Sequence, residues 1–318
     1  MNKKKWNKQA ILRILGNILT VLGLVFIVRQ VMKFDVDFWF LLNPQVILII
    51  FLLALLLATS VFTNSIAWKK LVEMLSLKKL KYPEIIHVYA KSNIAKYLPG
   101  NVMHYASRNL LGCKYDISHK DMIFSSALEV ILKIISSFLL VILLIRGQIF
   151  IVAEQLNEKT SINTTTILII VGAMMVCTIA FLVYKNRKSL KGKLQIFPLV
   201  YAFISYVFVF VVNAVAFLAI AATLYPKTDF ALIYTAGIYI IAWLIGYLTP
   251  GSPGGIGIRE TIMILMLGAV FTPAGITQIS VCLRLVTIIA DLLAFAVDAI
   301  VTKKLGTKID DTESCELR

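Results

Sequence analysis

Six long apolar runs punctuate this chain, at 11–28, 45–67, 122–145, 165–184, 197–224 and 278–301. Each approaches or exceeds the ~20 residues with which a helix crosses ~30 Å of hydrocarbon. They are apolar all round, with no alternation of period two, so they read as buried helices and not as strands. Two further stretches behave differently. Residues 85–112 carry His87, Lys91, Asn93 and Lys96 before Pro99-Gly100, and 231–272 consists of two thin apolar pieces around Pro250-Gly251-Ser252-Pro253-Gly254-Gly255. Proline removes a donor and clashes with the preceding turn, and glycine is conformationally loose, so both stretches predict broken helices. The first reads as a re-entrant pair of half-helices; for the second, 231–248 and 256–271 are apolar enough that two thin spans remain open.

The broken stretches are related by a constant offset. Adding 151 carries Pro99 to Pro250, Gly100 to Gly251 and Arg108 to Arg259, and carries the runs 45–67 and 122–145 onto 196–218 and 273–296. This predicts an internal repeat, with copies at about 45–145 and 197–301 and a charged tail at 303–318, inside a single integral-membrane domain over 1–318. Three spans separate the broken elements, an odd number, so they enter from opposite faces and the repeat is inverted. The expected fold is an all-α polytopic membrane protein of about six full spans plus two glycine- and proline-broken elements.

Composition excludes the soluble alternative. Of 318 residues 59% are hydrophobic and 15% charged, and a chain of this length could not bury so many apolar helices in a soluble core. The net charge of +15 is distributed between spans and does not form one patch, so it indicates topology and anionic lipid, not a nucleic-acid partner. The basic N-terminus, the segment 68–84 and the segment 185–193 are expected on the cytoplasmic side, which places both termini in the cytoplasm. The four cysteines, Cys113, Cys177, Cys282 and Cys315, have no metal-ligand spacing, and no metal or cofactor is expected. The glycines near Arg259 do not form G-x-G-x-x-G after a strand, so no nucleotide site is expected. Trp6, Trp39, Trp68 and Trp243 are expected in interfacial belts.

The candidate chemistry lies in the broken elements and in charges within spans. A half-helix starting near Gly255 to Gly257 would present free N–H groups and its positive dipole end at membrane depth, with Arg259 in its first turns and glycines allowing close approach of an oxygen. Together with Gly251 and Gly254 this predicts a phosphate cradle, and Gly100 with Arg108 its pseudo-symmetric partner, since guanidinium binds phosphodiesters through paired hydrogen bonds. The plain alternative is a tight loop with a snorkelling arginine. Glu129 and Lys133, four apart, share a helix face. Arg284, Asp291 and Asp298, spaced by seven, share another that should face the bundle, with Asp298 near enough to the end to be solvated at the interface. His87 and His104 read as polar residues of the first element, His104 beside the cavity.

The motifs KYLPGNVMHYASR (96–108) and TPGSPGGIGIRE (249–260), in this order and separation, resemble the integral-membrane flippase-like domain family of lysylphosphatidylglycerol synthases, over about residues 10–302. The resemblance implies lipid translocation at the plasma membrane of a prokaryote, with Arg108, Arg259 and Glu260 at motif positions. Two departures matter. The first motif is looser, with Asn101, Val102 and Met103 after Gly100, and only about 16 residues follow the last span. The aminoacyl-transferase domain of the full-length enzymes is therefore not expected, and neither is enzymatic synthesis of the modified lipid. The expected function is translocation of a phosphate-containing lipid, an aminoacylated phospholipid or an isoprenoid-phosphate glycolipid. Arg108 and Arg259 would hold the phosphate, while Glu129, Lys133, Glu260, Arg284, Asp291 and His104 would line or gate the route. The alternative is a non-transporting membrane partner of a glycosyltransferase or an aminoacyl-lipid synthase that docks through the basic loops. An intramembrane enzyme is a weaker third reading, because no nucleophile stands beside a base.

Overall fold

The computed structural model describes residues 43–97, 103–112, 115, 117–145, 192–249, 255 and 257–304. Among them every regular element is helical: α1 (Pro44–Ser76), α2 (Tyr82–Asn93) with a 3-10 turn (Ile94–Tyr97), α3 (Met103–Gly112), α4 (His119–Ile145), α5 (Ile196–Leu224), α6 (Leu232–Leu248), α7 (Ile258–Leu267) and α8 (Pro273–Lys304). Helices α1, α4, α5 and α8 are long and apolar enough to cross a membrane. They coincide with four of the six expected spans; the other two, 11–28 and 165–184, lie outside the described residues.

Local sequence accounts for the ends. Asn43 accepts the Gln45 N–H at 2.9 Å and Pro44 occupies the first turn of α1, where a missing donor costs nothing. At its other end α1 outruns the apolar stretch. It continues to Ser76 because Lys69 and Glu73 pair at 2.7 Å along the helix, and Lys69 sits 4.3 Å over the Tyr82 ring. Part of the segment read as a loop at 68–84 is thus helix. Helix α2 has Pro83 in its first turn and loses regular geometry shortly before Pro99.

The long helices present Leu48, Phe51, Phe138, Phe208 and Phe295 outward, while Arg108, Glu129, Glu260, Asp291 and Asp298 are buried. Apolar side chains outside with charges inside is the arrangement that a lipid solvent selects. The core is formed largely by α1, α4, α5, α6 and α8.

Helix α4 carries one broken element at each end. At its start, Met122 lies against Gly112, where an added Cβ would come within 2.0 Å of the methionine Cε. Ile85 at the start of α2 joins Ile117, Met122 and Ala294 in one buried cluster, so α2 begins and α3 finishes at this end of the bundle. At the other end of α4, Ile145 fills the space over Gly237, at 2.3 Å from a hypothetical Cβ there. Phe230, just before α6, meets Phe271, just after α7, at 5.2 Å between rings, so the second element also opens and closes at one end. Helix α7, ten residues and about 15 Å long, is too short to cross the hydrocarbon on its own.

Candidate functional site

A cavity of about 290 Å³ lies between the two broken elements and the long helices. On the side of the first element, α3 places Arg108, 1% exposed, against the carboxylate of Glu129 on α4. The guanidinium also donates from Nε to Ser92 Oγ at 3.2 Å and lies 4.0 Å over the Tyr89 ring and 5.0 Å over Trp68. Glu129 accepts in addition from Lys133 Nζ at 2.6 Å and Tyr89 OH at 2.9 Å. A buried carboxylate survives when it is paired and hydrogen-bonded, and here three donors, two of them cations, meet it. Glu129 and Lys133 do neutralise each other as their spacing predicts, and Arg108 is the third member. It does not snorkel.

The second element is built differently. Gly257, at φ 86°, precedes α7, and its N–H donates to Glu260 Oε2 at 2.7 Å. The half-helix end expected to offer its N–H groups to a phosphate is therefore partly satisfied by its own glutamate. The other oxygen of Glu260 accepts from Arg284 Nε and Nη2 at 3.1 and 2.6 Å. Arg259 reaches inward past two glycines. A Cβ on Gly246 would stand 2.7 Å from Arg259 Cγ, and one on Gly255, whose φ is 73°, 2.6 Å from Nε. The glycine motif thus makes room for the arginine arm. Arg259 lies 5.5 Å from the Trp243 ring, its Nε is buried without a hydrogen-bond partner, and no carboxylate pairs with it among the described residues.

The 151-residue offset explains this difference. It carries Arg108 to Arg259 and Lys133 to Arg284, but it carries Glu129 to Ser280. Ser280 lines the cavity, is 4% exposed, and its hydroxyl has no partner. Arg284 has found Glu260 instead. Among the described residues the carboxylate that neutralises Arg108 has no counterpart paired with Arg259.

The remaining charges hold the elements in place. Asp291 on α8 accepts from Asn93 Nδ2 at 2.7 Å, Lys96 Nζ at 2.6 Å and the Tyr97 hydroxyl, which ties the broken end of α2 to α8. Seven residues and about two turns further on, Asp298 meets His87 Nδ1 at 2.9 Å. Asp298 is 2% exposed, so it is not solvated at the interface, because the histidine of α2 packs over it. Tyr105 and Tyr247, from the two elements, meet hydroxyl to hydroxyl at 2.5 Å. His104 stacks on Tyr105 with 3.8 Å between centroids and lines the cavity, its Nδ1 without a partner.

The structure therefore gathers Arg108, Lys133, Glu260, Arg284, Asp291, His104 and Arg259 around one cavity, with Glu129 immediately behind. Gly100, Gly251 and Gly254 lie outside the described residues. Trp68 is fully buried and Trp243 lines the cavity, so neither belongs to an interfacial belt: each packs against an arginine of its repeat. Sequence reasoning missed Tyr97, Tyr105, Tyr247 and Ser280 as site residues. Only Ser280 had a signal, as the offset image of Glu129.

Arg108, Lys133, Lys96, Arg284 and Arg259 face Glu129, Glu260 and Asp291. Five cations against three carboxylates leave the site at +2. Among the described residues no three His, Cys, Asp or Glu side chains come together as a metal site. These features define a helical membrane protein with an internal, electropositive cavity between two broken-helix elements. No protein-family model and no curated protein matches the chain.

Proposed function

We propose that the protein binds the phosphate-bearing headgroup of a membrane lipid in this cavity and carries it between leaflets. The observation that carries the reading is the unpaired Arg259 in a low-dielectric site of net charge +2. Arg259 is half-buried with its Nε buried and unpartnered, which is costly, and a phosphodiester relieves that cost with two acceptor oxygens matched to the guanidinium fork. Arg108 supports the site through its charge, since its guanidinium is engaged by Glu129.

The two broken elements, which meet the two ends of α4, support an inverted repeat; the proposal completes it with six spans, 231–271 being re-entrant or two thin spans, and with both termini cytoplasmic in a prokaryotic plasma membrane. In that arrangement the headgroup crosses between the halves while the acyl chains stay in lipid. The resemblance to the flippase-like domain of lysylphosphatidylglycerol synthases agrees with this reading. Lys96–Asp291 and Tyr105–Tyr247 then act as ties that part as the halves move.

The test is transbilayer movement of labelled anionic phospholipids and isoprenoid phosphates in proteoliposomes. Wild type is expected to move at least one of them, Arg259→Ala to lose most of the rate, and Arg259→Lys to recover part of it. A folded Arg259→Ala protein moving lipid at the wild-type rate would sink the proposal. Absence of movement by wild type favours a non-transporting partner of a lipid-modifying enzyme.

A further inference from the structure

Nine buried side-chain polar atoms among the described residues have no hydrogen-bond partner, and six of them belong to residues that line this cavity: Ser60, Asn64, His104, Tyr206, Arg259 and Ser280. Native interiors leave few such groups, because each orphan carries its full desolvation penalty. Six around one space mark it as a place where something polar binds. Arg259 and Ser280 belong to the anion site. Ser60, Asn64 and Tyr206 do not: they stand on α1 and α5, outside both broken elements.

Their chemistry selects the ligand. Ser60 and Asn64 are one turn apart on the same face of α1, and Tyr206 is fully buried with Lys133 Nζ 5.3 Å from its ring. An ammonium group is disfavoured beside Lys133 in a site of net positive charge. An ionised phosphate has acceptors only and offers no proton to Asn64 Oδ1. A hydroxyl both donates and accepts, and suits two protein hydroxyls and an amide oxygen together. The same cavity is lined by the aromatic side chains of Tyr89, Phe210, Tyr239 and Trp243, a residue type that packs well against the C–H face of a sugar ring.

The geometry points to a second subsite, formed by Ser60, Asn64 and Tyr206, that binds a neutral polyhydroxylated ring attached to the phosphate, so that the ligand is a glycosyl phosphate. This inference rests on the anion reading of Arg259 and adds the chemical class of the headgroup.

The experiment is calorimetric titration of the full chain in nanodiscs with two diesters of equal charge, glucosyl octyl phosphate and methyl octyl phosphate. The glucosyl diester is expected to bind at least tenfold tighter, and the Ser60→Ala/Tyr206→Phe double variant to bring it down to the affinity of the methyl diester. Arg259→Gln is expected to weaken both. Equal affinity of wild type for the two diesters overturns the sugar subsite and leaves the anion site standing, as does a double variant that weakens both alike. Binding of neither overturns both readings. Glucose 1-phosphate separates the sources: displacement of the glucosyl diester by equimolar glucose 1-phosphate assigns the subsite to a soluble sugar phosphate, and failure to displace assigns it to a lipid.

Discussion

Ser280→Glu places, 151 residues after Glu129, the carboxylate that Arg108 has beside it and Arg259 lacks among the described residues. If the free charge of Arg259 draws the anion in, the new glutamate should close the site. The cavity falls from +2 to +1, and the guanidinium fork gains an internal partner as Arg108 has. One unit charge removed at ~5 Å from a bound phosphate, at an effective dielectric of ~20, is about 3 kcal/mol. That corresponds to a loss on the order of 100-fold in affinity. Ser280 is 4% exposed, so added bulk is itself a perturbation, and Ser280→Gln serves as the neutral control of the same size. The assay is calorimetry with methyl octyl phosphate in nanodiscs. Ser280→Glu is expected to weaken binding about 100-fold and Ser280→Gln by less than about tenfold, with little dependence on salt because the site is buried. Equal effects of the two substitutions would refute the electrostatic argument.

Other outcomes follow from the same geometry. Glu129→Gln leaves Arg108 and Lys133 facing each other without their shared carboxylate, and should cost about 3–5 kcal/mol, read as a large fall in unfolding temperature in detergent. Gly255→Ala forces a Cβ to within 2.6 Å of Arg259 Nε at a φ of 73°; it should reproduce the anion-binding loss of Arg259→Gln, checked in the same titration. Gly237→Ala should lower the unfolding temperature more than Gly112→Ala. The first meets Ile145 Cγ1 at 2.3 Å, close to the stem of a stiff β-branched side chain, and the second meets the mobile end of Met122.

The four described spans were legible because apolar length is a strong signal, and their inner faces were legible where charges recur at helical spacing. Arg284, Asp291 and Asp298 do share the inward face of α8. What each charge pairs with was not legible. Asp291 takes donors from Asn93, Lys96 and Tyr97, nearly two hundred residues away, and no pattern local to α8 announces a partner on a broken helix. Asp298 was misplaced for the same reason: distance from the helix end measures depth, but His87 decides burial. The half-helix end at Gly257 was read as free for phosphate because Glu260 was assigned to the route, whereas at the third position of a helix a glutamate folds back onto the preceding N–H.

The 151-residue offset carried more information than either motif alone. A conserved offset between Arg108 and Arg259 makes the two arginines look interchangeable, and a symmetric phosphate clamp is the natural expectation. That symmetry is broken at the position that matters for the arginines' charge, where Glu129 is matched by Ser280. A pair of equally free buried arginines would carry two uncompensated charges in a low-dielectric core, each expensive without its ligand. Neutralising one and leaving the other open keeps a single cation for a single anion, with Arg108 and Lys133 still contributing field across the cavity. On the proposed reading, the contact that holds the ligand and breaks on its departure is that of Arg259 in the second element, whose Nε has no partner of its own.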